Sequence, residues 1–267
     1  MRAFRVFALS ALATLSLLVG TTSAASAAPR AITKYVALGD SYTVGVGTYG
    51  YDDPNDPCRR GPFAYPRLWA AAHPATAFTE ASCSGADTTD VLSTQIPLVT
   101  PDTSLVTIQV GGNDAGFVDV LVGCTFGSDA DCVTRTQVAS EVVRTTVSPA
   151  LQKTYAAIRA NAPSARVIVI GYPRIYKPGG TCFGQLSAPK QAAINASADV
   201  LATVTANQAA AAGFTFLDAR TTFSGHEICT SDWYLTALEI FKLNESFHPN
   251  KKGHQFGYFA PLNAITG

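Results

Sequence analysis

The chain has 267 residues, in which 19 Lys and Arg balance 19 Asp and Glu, and only 14% are charged against 47% hydrophobic. A neutral chain without a basic cluster offers little to a polyanion, which excludes nucleic acid as a partner. So few charges suit a protein held by burial and cross-links, and the length suits one α/β domain with a full core.

Arg2 and Arg5 precede the apolar run Val6–Val19, and the small-residue stretch Thr21–Ala28 contains Ala25-Ser26-Ala27. That order predicts a secretory signal peptide over residues 1–28 and an extracellular destination. The run is shorter than the ~20 residues a membrane helix needs, and no later run approaches that length, so no stable membrane insertion is expected. Residues 29–267 show no linker or repeat and are expected to form a single domain, acting as a monomer.

Tyr35–Gly39 is a short apolar run closed by Gly, the pattern of a buried parallel strand. A weaker run follows at Ala77–Ser82, and stronger ones lie at Leu105–Val110, Arg166–Gly171 and Phe214–Asp218. Leu151, Tyr155 and Ile158 recur at the spacing of one helix face, and Asn161-Ala162-Pro163 ends that helix. A second helix is predicted from about Ser187-Ala188-Pro189 to Gly213, with Ile194, Leu201 and Val204 on one face. Strands alternating with helices predict a parallel sheet covered on both sides, whose ligands bind at the carboxyl ends of the strands. Polar, chemically capable residues occupy three of those ends: Asp40-Ser41, Ser84-Gly85-Ala86-Asp87 and Gly111-Gly112-Asn113-Asp114.

Ser41 is placed for a nucleophile, at a strand end followed by Gly45 and Gly47, although a Ser there also serves as an ordinary helix cap. Gly-x-Ser-x-Gly is absent, because position 43 is Thr. Among the four histidines, His73 ends a helical segment, His226 lies near a cysteine, and His254 opens the last helix. His248, in the loop Glu245-Ser246-Phe247-His248-Pro249, is the best-placed base. The backbone N–H groups of Ser41 and Gly85 and the side-chain amide of Asn113 are the natural donors to a developing oxyanion. The six cysteines, 58, 83, 124, 132, 182 and 229, predict disulfides in an exported chain, with the pairing left open. No cluster has convincing ligand spacing, so neither metal nor cofactor is expected.

In this order, Gly39-Asp40-Ser41, the Gly85 block, Gly111-Gly112-Asn113-Asp114 and His248-Pro249 resemble the four blocks of the GDSL or SGNH hydrolases, from Tyr35 to Gly257. Within that family the chain is most similar to secreted bacterial lipases and phospholipases A1, which share its six cysteines and the stretch Gly111–Phe117. The resemblance implies a three-layer α/β/α flavodoxin-like fold with a five-stranded parallel sheet, and the pairings Cys58–Cys83, Cys124–Cys132 and Cys182–Cys229. It further implies Ser41 as nucleophile, His248 as base, and Ser41, Gly85 and Asn113 as the oxyanion hole. The family commonly places Asp three residues before the His, where this chain has Glu245. Either Glu245 orients His248 or, as in the secreted lipase branch, a main-chain carbonyl does, here that of Ser246.

Apolar residues surround both blocks: Phe117, Val118, Val120, Leu121 and Val122 after Asn113, and Trp233, Tyr234, Leu235, Leu238, Ile240 and Phe241 before His248. An apolar lining suits an acyl chain, so the expected substrate is a lipid ester cleaved through an acyl-serine intermediate. The alternatives are a carbohydrate acetyl esterase, or a catalytically silent binding protein on the same fold.

Overall fold

The computed structural model describes residues 31–182 and 185–267, together with Met1. The expected signal peptide lies outside the described residues. Five strands form one parallel sheet in the order β2-β1-β3-β4-β5: β1 (Lys34–Gly39), β2 (Ala77–Glu80), β3 (Leu105–Gln109), β4 (Arg166–Ile170) and β5 (Thr215–Leu217). The fold class expected from the sequence is the one found. The alternation of strands and helices produces it, because a parallel neighbour is reached only through a crossover. β3 is buried along its whole length and β1 and β4 beyond their first residue, whereas the edge strands β2 and β5 are partly open. That gradient matches the near-continuous apolar runs in the centre and the weaker run at Ala77–Ser82.

The helices are α1 (Ser41–Val44), α2 (Tyr65–Ala72), α3 (Thr88–Asp90), α4 (Phe117–Phe126), α5 (Asp129–Val142), α6 (Ser148–Asn161), α7 (Ala188–Ala211), α8 (Ala219–Thr222) and α9 (Ala260–Thr266). α2 packs with the C-terminal segment, where a wide-turn helical stretch, Gly253–Phe259, runs into α9. α6 and α7 pack together, and α7 also packs against α5 and against β4 and β5. Leu151, Tyr155 and Ile158 bury one face of α6, and Ile194 and Leu201 do so on α7. Helix starts follow from side-chain caps: Asp87 with Asp90, and Ser128 with Asp131, form reciprocal capping boxes. No described helix is long and apolar enough to cross a membrane.

The strand order reverses between β1 and β3, and at such a switch point their carboxyl ends open a crevice. Two further constraints shape it. The buried side chain of Gln95 clamps the end of β1, accepting from Gly39 N at 2.8 Å and donating to Gly39 O at 2.9 Å. Three disulfides join Cys58 to Cys83, Cys124 to Cys132 and Cys182 to Cys229, the pairing the family resemblance implies. The first ties the long loop after β1 to the loop after β2, the second joins α4 to α5, and the third links the loop after β4 to the segment that leads towards His248. Closing a loop of 25 residues in the unfolded chain makes the first bridge worth about 3.5 kcal/mol by chain entropy. The double substitution Cys58→Ser, Cys83→Ser is therefore expected to cost about 3 kcal/mol in urea-induced unfolding. Unchanged stability would contradict it.

Candidate active site

Ser41 is the first residue of α1, immediately beyond β1. The helix is capped by Asp40, whose Oδ1 accepts from Tyr42 N at 2.9 Å, so the Ser41 hydroxyl is not used as a cap. It instead lies 2.8 Å from Nε2 of His248. Nδ1 of the same ring is 2.9 Å from the Ser246 carbonyl oxygen. A carbonyl oxygen only accepts, so Nδ1 carries the proton and Nε2 is left with a lone pair facing the serine hydroxyl. Burial pulls the His248 pKa down to about 4, against the opposing pull of the Ser246 carbonyl and the Glu245 carboxylate. The ring is thus neutral through the mildly acidic and neutral range, the form able to take a proton from Ser41.

Of the two candidates for orienting His248, the Ser246 carbonyl is the one in contact. The Glu245 carboxylate points elsewhere, accepting from Gly47 N at 2.7 Å, from the Tyr51 hydroxyl at 2.6 Å and from Arg59, with which it forms an ion pair. Glu245 is nearly buried, and these three partners satisfy it. Gly47 needs to be glycine for that closeness. Its φ is +93°, and a Cβ there would come within 2.6 Å of Pro249 O and 2.9 Å of His248 Cβ. Glu245 therefore fixes the start of the His248 loop to the turn after α1 without touching the imidazole. From the other side, the Tyr42 hydroxyl donates to Phe247 O at 2.5 Å, and Phe247 N donates to Thr236 O at 2.8 Å. These bonds hold Phe247 at φ +64°, a conformation that side-chain-bearing residues seldom adopt.

Ser41, Gly85, Asn113 and His248 line one cleft of about 500 Å³. The Asn113 amide donates to Ala86 O at 2.9 Å, which locks its orientation and leaves its second N–H for the cleft. Gly85 is at φ +82°, and a Cβ built there meets nothing within 4 Å, so the glycine is required by the backbone turn rather than by crowding. Behind the serine lies a network that sequence reasoning missed. The Tyr172 hydroxyl donates to Asp40 Oδ2 and accepts from Gly112 N at 3.4 Å, joining the Ser41 turn to the loop that carries Asn113. Burial raises the Asp40 pKa to about 7, although its bonds from Tyr172 and Tyr42 pull the other way. Tyr172 directly follows Gly171 at the end of β4, so the strand-end rule that picks out Ser41 and Asn113 also points to it. Arg59 and Tyr51 carry no comparable signal, being separated from Glu245 by 186 and 194 residues.

The expected apolar lining divides in two. Val118, Leu121, Val122 and Leu238 line the cleft, joined by Phe126 and Leu243. A narrower apolar pocket, also bordered by Ser41, Asn113 and His248, runs inward between Phe117, Tyr172, Ile175 and Leu201. Val120 and Leu235 are core, Trp233 and Tyr234 pack against it, and Ile240 and Phe241 project into solvent. The other histidines are engaged elsewhere. His73 stacks on Trp69, His226 stacks on Tyr234, and buried His254 accepts from Tyr65 N at 3.2 Å. Among the described residues, no group of three or more His, Cys, Asp or Glu side chains is arranged to hold a metal ion.

A serine facing a neutral imidazole at the switch point of a doubly wound sheet is the arrangement of a serine hydrolase of carboxylic esters on an α/β fold. The chain belongs to the GDSL-like Lipase/Acylhydrolase family, whose model it matches over residues 37–256. It is 46% identical to Lipase 1 of Streptomyces coelicolor over 93% of this chain and 92% of that one. Among solved structures, phospholipase A1 from Streptomyces albidoflavus superposes with a TM-score of 0.85 at 45% identity, over 88% of this chain and 99% of that one. The extracellular lipase from Streptomyces rimosus gives 0.84 at 45% identity, over 87% and 99%.

The site geometry makes two outcomes testable. With His248 as the expected base, only its neutral form accepts a proton, so kcat/KM is expected to fall as pH drops through the folded pKa. The acid limb is expected near pH 4 rather than 6.5; a limb at 6.5 or above would contradict the burial argument. Glu245→Gln is expected to lower stability by roughly 2 kcal/mol by breaking the ion pair with Arg59, and to reduce kcat by less than ~10-fold. A loss approaching ~10⁴ in kcat would mean that the carboxylate acts on the imidazole as a triad acid does.

Proposed function

We propose that the protein is a secreted, monomeric hydrolase of lipid esters, of lipase or phospholipase A type, with Ser41 as nucleophile and His248 as base. The proposed mature enzyme is the single domain 29–267, released from the leader 1–28. The observation that carries the reading is the 2.8 Å approach of Ser41 Oγ to His248 Nε2 at the wall of an apolar cleft. The names of the relatives, lipase and phospholipase A1, support the choice of substrate class.

In this mechanism Ser41 Oγ attacks the ester carbonyl carbon while its proton passes to His248 Nε2. The Ser246 carbonyl holds Nδ1–H and stabilises the imidazolium, making the pair a dyad with a main-chain orienting group. The tetrahedral oxyanion is received by the N–H groups of Ser41 and Gly85 and by the Asn113 amide. Collapse breaks the bond to the alcohol, which leaves with the proton from His248. Water then gives a proton to His248 and attacks the acyl-serine; the acyl–Oγ bond breaks, the fatty acid leaves, and His248 returns the proton to Ser41 Oγ. The apolar cleft walls hold the acyl chain, and their burial of each CH₂ contributes about 0.8 kcal/mol to binding.

Hydrolysis of p-nitrophenyl esters from acetyl to palmitoyl, alongside phosphatidylcholine, tests the proposal. Wild type is expected to prefer long chains or phospholipid, and Ser41→Ala to lose ~10⁴ or more in kcat with unchanged unfolding. A preference for acetyl would turn the reading to a carbohydrate deacetylase. Near-normal activity of Ser41→Ala would overturn the mechanism.

A further inference from the structure

α4 is apolar on two faces. Val120, Leu121 and Cys124 are buried, while Val118, Val122 and Phe126, spaced four residues apart, form an exposed stripe on the same helix. Leu243 lines the same cleft and ends the segment Ile240-Phe241-Lys242-Leu243, in which Ile240 is 70% and Phe241 98% exposed. These six side chains are six of the ten large apolar ones that the described residues beyond Met1 leave exposed. Concentration of exposed apolar surface in one place marks an interaction site rather than incidental exposure. The patch also runs into the active site, because Val118, Val122, Phe126 and Leu243 line the cleft that holds Ser41 and His248.

That continuity decides what the patch meets. A protein partner or a second copy covering these residues would close the cleft over Ser41. An aggregated lipid surface covers the same residues and at once presents ester groups to the opening. The one cation in the exposed segment, Lys242, lies between Phe241 and Leu243, with its ammonium 5.1 Å from the centre of the Tyr49 ring. An ammonium flanked by apolar side chains suits a surface where phosphates lie just above acyl chains. We infer that the rim formed by Val118, Val122 and Phe126 on α4 and by Ile240–Leu243 docks on the surface of aggregated phospholipid. Phe241 is the leading insertion residue and Lys242 the phosphate contact. The inference rests on the proposed lipid-ester activity and adds how the substrate is reached.

The test uses the double substitution Ile240→Ser, Phe241→Ser, two exposed residues that do not line the catalytic cleft. Binding is read by flotation with phosphatidylcholine vesicles in a Ser41→Ala background, which prevents digestion. The double variant is expected to lose ~10-fold or more in vesicle partitioning and to raise KM on vesicles by a similar factor. Its kcat/KM on dihexanoyl phosphatidylcholine below the micellar concentration stays within about twofold. Undiminished vesicle binding, or an equal loss on the monomeric lipid, would overturn the inference. So would concentration-dependent dimerisation in sedimentation that the double substitution abolishes while vesicle binding persists. Hydrolysis of the monomeric lipid by wild type keeps the two readings apart: its absence counts against lipid-ester activity itself, whatever the vesicles show.

Discussion

One hydrogen bond sets the demands on the rest of the molecule: Ser41 Oγ to His248 Nε2, joining residues 207 apart in sequence. One partner sits at the end of the first strand and the other in the last loop, so neither local propensity nor a short turn brings them together. The sheet does so indirectly. Parallel register fixes the ends of β1 and β3 side by side, and the C-terminal segment packs back against α2, returning the His248 loop to the same edge. A displacement of an ångström would break the contact, and the loop is held by more than its own length.

Two buried networks provide that hold. Glu245, Arg59, Tyr51 and Gly47 N tie the start of the His248 loop to the segments after α1, while Tyr42 ties Phe247 from beneath. Asp40, Tyr172 and Gly112 N brace the Ser41 turn against the Asn113 loop. In both, a carboxylate acts on backbone and side-chain donors around the dyad rather than on the imidazole. Under the proposed mechanism, this division lets a Ser–His pair work beside a Glu without forming a triad. The glutamate supplies position, and a main-chain carbonyl, which is neutral at every pH, supplies the acceptor for Nδ1. The half-buried imidazole is then desolvated without a directly bonded counter-charge, which is why its pKa falls rather than rises.

Much of the fold was legible because it rests on local chemistry. Strand runs such as Leu105–Val110 and Arg166–Gly171 are apolar because both faces are covered, and the face of α6 repeats at helical spacing because it meets the core. The positions of Ser41, Gly85 and Asn113 were legible through the rule that chemistry gathers at strand ends, and the same rule, applied to β4, reaches Tyr172. From the sequence, only the family resemblance favours the Ser246 carbonyl over Glu245 as partner for His248, since both lie within three residues of it. What separates them is Arg59, which draws the carboxylate away, and no periodicity or spacing links Arg59 to Glu245. Nor does spacing tell Leu235, which is core, from Phe241, which is almost fully exposed six residues later. That distinction depends on which way a loop without regular structure turns.

Labelling with a fluorophosphonate, followed by intact-protein and peptide mass spectrometry, tests the dyad most directly. The account predicts one adduct per chain, on Ser41, with labelling slowed ~10³-fold or more by His248→Ala and changed less than ~10-fold by Glu245→Gln. An adduct on another residue, or labelling of Ser41 that persists at the wild-type rate without His248, would contradict it.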